Sequence, residues 1–255
     1  MQINSLPNIN QHTRTGYEND DGINAEGLKT LSEWAKAKGE VHIFAPKNEQ
    51  SGKSHSIDIH RPYECKKNSN YPDIEAYSVD STPADCVRVA ILAMKNKYDL
   101  VISGINRGFN VGGDICYSGT VGACFEAAKL GQKCMAISTH WDGFEQVRSQ
   151  LDRIYEFICQ NKMFGHTDII NVNVPAEGEK LLITRQGPPI YGDEFQIEND
   201  IVKPKLISLY QSTADLTLDT DATMTGHISI TPLQIDSTNM RAYQTLQNIT
   251  SPQTH

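Results

Sequence analysis

The amino-acid sequence predicts an α/β protein built on a doubly wound, mostly parallel sheet with a β-rich C-terminal extension. Short apolar segments alternate with amphipathic segments from about residue 25 to residue 175. Strands of a parallel sheet are buried on both faces and are therefore apolar throughout, whereas the helices that cover them show a helical apolar period. After about residue 180 the chain changes to shorter β-leaning pieces separated by acidic and polar stretches.

The first predicted helix and strand follow from apolar spacing. Leu28 and Leu31 lie on one helical face of the segment 25–38, and Gly39 stands where a C-terminal cap belongs. The apolar segment 41–46 comes next and ends at a proline, which predicts a short buried strand. This pair starts the alternation of helices and strands.

The second predicted helix lies within 81–97. Thr82 is suited to the N-cap position, Pro83 to the first helical position, and Asp85 lies in the first turn, near the positive end of the helix dipole. The remaining core alternates as strand, helix, strand, helix and strand, over 99–104, 119–131, 134–138, 144–160 and 168–175.

The C-terminal part of the chain is predicted to be rich in strands, at 181–185, 205–210 and 226–234. The acidic stretch 191–200 is expected to separate two of these strands. We therefore predict an α/β core over 12–180 and a β-rich region over 181–255. The chain ends, 1–11 and 248–255, are expected to be frayed.

Composition limits the function. At 255 residues the chain can bury a sizeable core, and its net charge of -8 argues against binding to long nucleic acids. No apolar run approaches the roughly 20 residues that a membrane helix needs, and the polar N-terminal segment lacks the apolar core of a secretory signal. The expectation is a soluble, cytoplasmic protein whose six scattered cysteines are reduced thiols rather than zinc ligands.

Two adjacent carboxylates, Asp20 and Asp21 of "NDDG", stand just before the first helix. Loops that follow predicted strands bring Ser51, Asn106 and Asn110, and in α/β sheets such loops converge beyond the carboxyl ends of the strands. Carboxylate, hydroxyl and amide oxygens suit Mg²⁺, Mn²⁺ or Ca²⁺. The alternative is a polar turn, because Asn, Asp and Gly are ordinary turn residues.

A second candidate site is the start of the helix at 119–131. Ser118, Gly119 and Thr120 of "SGT" lie where free N–H groups and the helix dipole can receive an anion. The alternative is simple N-capping by Ser118 or Thr120. Together with the carboxylate pair, this helix start indicates metal-assisted phosphate chemistry. The chain has neither a GxxxxGK[ST] nor a GxGxxG motif, which disfavours P-loop and dinucleotide binding.

These motifs resemble those of the SurE family, the stationary-phase survival proteins with a Rossmann-like core. The matching stretches lie within 19–236, and their order and spacing together are specific. They are "NDDGINAEGLKTL", "VHIFAPKNEQSGKSHSI", "STPADCVRVAI", "DLVISGINRGFNVGGDICYSGTVGACFEAAKLG", "IINVNVP" and "TDATMTGHISITPLQID".

The resemblance implies a set of site residues. One divalent ion per subunit, Mg²⁺ or Mn²⁺, would be held by Asp20, Asp21, Ser51 and Asn106. The substrate phosphate would be contacted by Asn110, Ser118, Gly119 and Thr120. Asp20 and Asp21 would also be the catalytic residues, one of them accepting the proton of the attacking water.

The resemblance also implies an activity. SurE proteins are metal-dependent phosphoric monoester hydrolases that release phosphate from nucleoside 5′- or 3′-monophosphates, and some also trim short polyphosphate. They build homodimers or homotetramers through the C-terminal region. For this chain the resemblance therefore implies a 5′-nucleotidase whose partners are a small nucleotide and other copies of itself, with no membrane.

One feature departs from the family pattern. In SurE proteins "NDDG" follows an apolar strand in the middle of the sheet, whereas here it follows the polar segment "NINQHTRTGYE". Either a polar strand fills the central position, or the chain start differs from that of an active relative. The alternative function is thus a non-catalytic, nucleotide-binding or structural homologue.

Trp141 of "HWD" is a further candidate near the site, and the sequence leaves open whether it stacks a base or only packs against the protein.

Overall fold

The computed structural model describes residues 14–18 and 20–250 of the chain. These residues form a central sheet of nine strands and a separate hairpin of two strands. The strands are β1 (Arg14–Glu18), β2 (Glu40–Pro46), β3 (Cys65–Lys67), β4 (Glu75–Val79), β5 (Leu100–Arg107), β6 (Cys134–Thr139), β7 (Ile169–Val174), β8 (Leu181–Ile183), β9 (Tyr191–Glu198), β10 (Ile201–Ser208) and β11 (Ile228–Leu233).

The central sheet has the strand order β3-β4-β2-β1-β5-β6-β7-β11-β8. Its middle strands, from β4 to β7, run parallel, and the β3–β4 and β7–β11 pairs are antiparallel. The central β6 and β7 are buried along their whole length, as a sheet covered on both faces requires. The predicted doubly wound, mostly parallel sheet is confirmed.

Helices cover both faces of this sheet. The covering helices are α1 (Glu26–Lys36), α2 (Pro83–Arg88), α3 (Gly119–Lys129), α4 (Phe144–Gln160) and α5 (Asp219–Met224). A further helix, α6 (Met240–Thr250), has mostly exposed side chains. Leu28 of α1 and Leu151 of α4 belong to one buried apolar cluster, and Val87 of α2 and Val121 of α3 belong to another. The two clusters lie on opposite faces of the sheet, which is the doubly wound arrangement.

The polar segment before "NDDG" does form a strand. β1 lies between β2 and β5 and is parallel to both, with Thr15 opposite Val41 and Leu100. Thr15 and Gly16 are buried. Backbone pairing on both sides therefore holds this strand in place, although its side chains do not show the apolar pattern of a buried strand. Of the two alternatives for this segment, the structure has the polar strand in the central position.

Two predicted elements differ from the structure. The second helix is shorter than its pattern suggests: α2 ends at Arg88, a π-helical turn follows over Val89–Ala93, and Lys95 has a positive φ of 58° that ends the helical run. The acidic stretch 191–200 is not a separator, because 191–198 forms β9. Asn199 and Asp200 both have positive φ values, as a two-residue type I′ hairpin turn requires.

The C-terminal part contributes to the central sheet as well as to the hairpin. β8 and β11 pair with each other and β11 pairs with β7, so the strands after residue 180 extend the sheet of the core. β9 and β10 form the separate hairpin. The boundary near residue 180 stays a prediction. Among the described residues, no helix has the length and apolar character needed to cross a lipid bilayer.

Candidate active site

The predicted site residues gather at the carboxyl edge of the parallel sheet. Asp20 follows β1 by two positions, Ser51 lies in the loop after β2, and Asn106 is near the end of β5. These three strands are neighbours in the sheet, so their ends lie side by side. The pairing of β5 with β6 shifts register between Gly104 and Asn106, and such bulges re-aim side chains beside active sites.

Asp20 is a buried carboxylate held by the start of α3. Its side chain is 4 % exposed. Thr120 Oγ1 donates to Asp20 Oδ1 at 2.6 Å, and Thr120 N donates to Oδ2 at 3.2 Å. Gln50 N donates to the main-chain oxygen of Asp20 at 2.8 Å. The last contact places Ser51, the next residue, beside the aspartate pair.

Asp21 joins the pair to the loop after β5. Arg107 N donates to Asp21 Oδ2 at 3.1 Å, and Asn106 is the residue before that donor. Ser51 and Asn106 are thus each one residue away from a main-chain N–H that is hydrogen bonded to one of the two aspartates. The structure brings all four predicted metal ligands to one place.

Both aspartates have perturbed acidity. Burial raises the pKa of the Asp20 carboxyl to about 6; the Thr120 hydrogen bonds oppose this rise, and the neighbouring Asp21 charge adds to it. Burial also raises the pKa of Asp21, against the hydrogen bond from Arg107 N. Two carboxylates close together in a buried place make the charged state unfavourable unless a cation compensates them.

The donor set fits a hard divalent cation. Ser51 Oγ donates its proton to Glu49 Oε1 at 2.7 Å, and Asn106 Nδ2 donates to Gly108 O at 2.8 Å. Both bonds use a proton and leave the hydroxyl oxygen and the amide oxygen as acceptors. Throughout 14–18 and 20–250 no three His, Cys, Asp or Glu side chains form a metal-binding group, so a metal here depends on these neutral oxygens beside the aspartates.

A cleft opens at Asp21. Its volume is about 310 Å³, at the lower end of the range of small-molecule pockets. Its lining is mostly polar and aromatic, and consists of Asp21, Ala25, Glu26, Glu49, Ser51, Arg107, Trp141 and Phe144. Arg107 also pairs with Glu26 at 3.1 Å and lies over the Phe144 ring at 5.1 Å.

The start of α3 differs from its predicted role in one respect. Ser118 is the N-cap residue, since its Oγ accepts a hydrogen bond from Val121 N at 3.0 Å. Thr120 gives both its N–H and its hydroxyl proton to Asp20, so these donors serve the aspartate rather than a phosphate. The anion at this helix N-terminus is the carboxylate of Asp20. Gly119 lies directly against it: a Cβ there would be 3.0 Å from Asp20 Oδ2.

Asn110 is fixed by a buried polar cluster that the sequence did not suggest. It is 8 % exposed, and its N donates to Asn173 Oδ1 at 2.8 Å. Its main-chain oxygen accepts hydrogen bonds from Asn171 Nδ2 at 2.8 Å and Asn173 Nδ2 at 3.0 Å. Its side-chain Nδ2 donates to Ser138 Oγ at 2.7 Å. The alternating polar positions of "NVN" in an otherwise apolar strand were the available signal.

A second unsuspected network holds the loop that carries Ser51. His55 Nε2 lies 2.8 Å from Oε2 of the buried Glu126 in α3, and Arg88 of α2 lies 3.2 Å from Oε1 of the same carboxylate. Residues so far apart in the chain leave no local pattern for sequence reasoning to find. The loop after β2 is thereby tied to both helices on its side of the sheet.

The chain is similar to known proteins over most of its length. The family described as "Survival protein SurE" matches residues 17–193. The chain is 35% identical over 245 residues to a "5'-nucleotidase SurE" of Caldanaerobacter subterraneus subsp. tengcongensis, covering 90% of this chain and 94% of the relative. It is 38% identical over 245 residues to the protein of the same name from Geotalea uraniireducens, with coverage of 90% and 96%.

A solved structure supports the same relationship. The structure entitled "Crystal Structure of Sure Protein from Aquifex aeolicus" is similar with a TM-score of 0.78 and 30% sequence identity, over 93% of this chain and 100% of that chain. Sequence and fold agree, and the chain belongs to the SurE family.

Proposed function

We propose that this chain is a metal-dependent phosphatase that releases phosphate from nucleoside 5′- or 3′-monophosphates, with short polyphosphate as a further substrate. The observation that supports this most is the joining of Asp20 and Asp21, through main-chain hydrogen bonds, to the loops that bear Ser51 and Asn106. The cleft beside them has room for a small molecule, and the named relatives are 5′-nucleotidases.

One Mg²⁺ or Mn²⁺ per subunit would be held by oxygens of Asp20, Asp21, Ser51 and Asn106. A bound divalent ion supplies Lewis-acid polarisation of a phosphoryl oxygen and makes water a better nucleophile. The protein supplies position: Thr120 fixes the Asp20 carboxylate with two hydrogen bonds, and Arg107 N fixes one oxygen of Asp21.

The substrate phosphate would lie at the start of α3. With Thr120 engaged by Asp20, the donors that remain for it are the main-chain N–H of Gly119 and the hydroxyl of Ser118. Asn110, held in place by Asn171, Asn173 and Ser138, would also contact the phosphate. Asp20 and Asp21 are the catalytic residues, and Asp21, which lines the cleft, is the candidate to accept the proton of the attacking water.

We propose further that subunits associate through the β9–β10 hairpin into a homodimer or homotetramer. Phe195 and Ile197 are 61 % and 72 % exposed. The antiparallel register places Val202 opposite Ile197 and Pro204 opposite Phe195, so these apolar side chains share one face of the hairpin. Leu206, on the same face, is also exposed. An exposed apolar face of this kind is typical of a subunit contact.

The function is tested by assaying the purified chain for phosphate release from a panel of nucleoside monophosphates with Mn²⁺ or Mg²⁺. We expect release that depends on the ion and stops when a chelator is added. If the chain binds nucleotides without releasing phosphate from any of them, the non-catalytic alternative is correct and the proposal fails.

A further inference from the structure

Trp141 lies on a short turn beside the end of β5, which carries Asn106. The turn 140–143 follows β6 and is closed by a hydrogen bond from Gly143 N to His140 O at 2.9 Å. β6 runs parallel to β5 with Thr139 opposite Arg107, so the residues after each strand lie next to one another. Trp141 is therefore held at the rim of the cleft by the order of the strands.

The Trp141 ring and the predicted ligand Asn106 flank the same glycine. A Cβ placed on Gly108 would lie 4.0 Å from Cζ2 of Trp141 and 4.0 Å from Nδ2 of Asn106. Trp141 also lines the cleft that contains Asp21 and Ser51. The indole is thus near enough to Asp21 for one small molecule to touch both.

Trp141 is 62 % exposed, which is unusual for so large an apolar side chain. The other tryptophan shows the ordinary alternative: Trp34 donates from Nε1 to Asp152 at 2.9 Å and packs edge-on against Tyr155 at 5.8 Å. Of the two roles that the sequence left open for Trp141, packing within the chain does not account for its exposure.

We propose that Trp141 is the stacking platform for the base of the nucleotide substrate. This inference rests on the proposed function, because it assigns the base end of the same cleft whose phosphate end is the aspartate pair. Aromatic stacking accepts every base, since each has a π-face, so the residue favours nucleotides over other phosphomonoesters without choosing one base. The ligand class is a purine or pyrimidine ring attached to the phosphate through its ribose.

The test compares two substrates that differ only in the base, adenosine 5′-monophosphate and ribose 5-phosphate. In Trp141→Ala, the ratio of kcat/KM for the nucleotide to kcat/KM for the sugar phosphate should fall by about 5- to 150-fold, the range for removal of one stacking partner. The fall should come from a higher nucleotide KM. Trp141→Phe should keep most of the ratio, because it keeps an aromatic face.

A fluorescence titration provides a readout apart from catalysis. In a Trp34→Phe background, Trp141 is the remaining tryptophan of the chain. Adenosine 5′-monophosphate should change its emission at concentrations where ribose 5-phosphate does not. This titration decides the inference even if the chain hydrolyses no phosphomonoester, an outcome that would overturn the proposed function alone.

Two results would overturn the role of Trp141. One is a substrate ratio that stays within about twofold in Trp141→Ala, together with emission that the nucleotide leaves unchanged. The other is a change in oligomeric mass of Trp141→Ala by light scattering with an unchanged substrate ratio, which would make Trp141 a subunit contact.

Discussion

Replacing Thr120 with valine removes one hydrogen bond to a buried carboxylate while keeping the branched shape of the side chain. Thr120 is fully buried, and its hydroxyl donates to Asp20 Oδ1 at 2.6 Å. The main-chain bond from Thr120 N to Asp20 Oδ2 is expected to remain. The variant therefore isolates the contribution of one side-chain donor to the position of the aspartate.

The expected magnitude follows from the charge of the acceptor. Hydrogen bonds to charged groups contribute about 1.5–3 kcal/mol to stability, against about 0.5–1.5 kcal/mol for neutral pairs. Burial raises the pKa of Asp20 to about 6, so its carboxyl is mostly ionised at pH above that value. At neutral to mildly alkaline pH, we expect Thr120→Val to lower the free energy of unfolding by about 1.5–3 kcal/mol.

A matched control is available at Thr139. This side chain is also fully buried, but its hydroxyl donates to the neutral oxygen of Val174 at 2.9 Å. Urea unfolding followed by circular dichroism should show a smaller loss for Thr139→Val than for Thr120→Val. Equal losses in the two variants, or an unchanged stability of Thr120→Val, would refute the idea that Thr120 holds an ionised Asp20.

Three further predictions concern other parts of the chain. Asn173→Ala removes two hydrogen bonds to Asn110, so we expect unfolding to be easier by about 1–3 kcal/mol and phosphate release to be slower at saturating substrate; normal turnover would contradict this. Burial raises the pKa of Glu126, but the neighbouring His55, Lys129 and Arg88 outweigh burial and hold the pKa of this carboxyl below its usual range. The ionised carboxylate therefore stabilises the fold at pH values above the ordinary glutamate pKa, and this stability is lost as pH falls through the lowered pKa. Glu126→Gln should flatten this acid limb in thermal melts, and an unchanged limb would exclude Glu126 as its cause. Phe195→Glu should lower the oligomeric mass by light scattering, whereas Gln196→Glu on the opposite face of the hairpin should not.

The core of the fold was predictable because most of its strands are apolar segments and most of its helices are amphipathic segments. The apolar segment at 134–138 and the amphipathic segment at 144–160 match β6 and α4 within a residue. β1 and β9 were not predictable in the same way. β1 is held by backbone pairing to two neighbours, and β9 by a hairpin turn, so neither needs an apolar pattern.

The convergence of the candidate site residues was predictable, but their mutual contacts were not. Motif order brought Asp20, Asp21, Ser51 and Asn106 together, because strand ends converge at one edge of the sheet. The Asp20 carboxylate lies at the helix start where a phosphate was predicted. This contact joins residues 100 positions apart in the chain, so no local pattern indicates it. A side chain added at Gly119 would therefore press against Asp20 Oδ2 and disturb the aspartate as well as any phosphate at this helix start.

The central claim is that the aspartate pair holds a divalent ion that phosphate release requires. It is tested most directly by titrating Mn²⁺ into Asp21→Asn by calorimetry and measuring phosphate release on the same preparation. Asp73→Asn is the control. Asp73 is an exposed aspartate that precedes β4, so it lies at the edge of the sheet opposite to the aspartate pair. Mutation of a residue that only supports a metal ligand typically lowers metal affinity by about 10- to 100-fold. We predict that Asp21→Asn lowers Mn²⁺ affinity by at least this factor and that phosphate release is lost with it. A folded Asp21→Asn variant with the Mn²⁺ affinity and turnover of the Asp73→Asn control would contradict the claim.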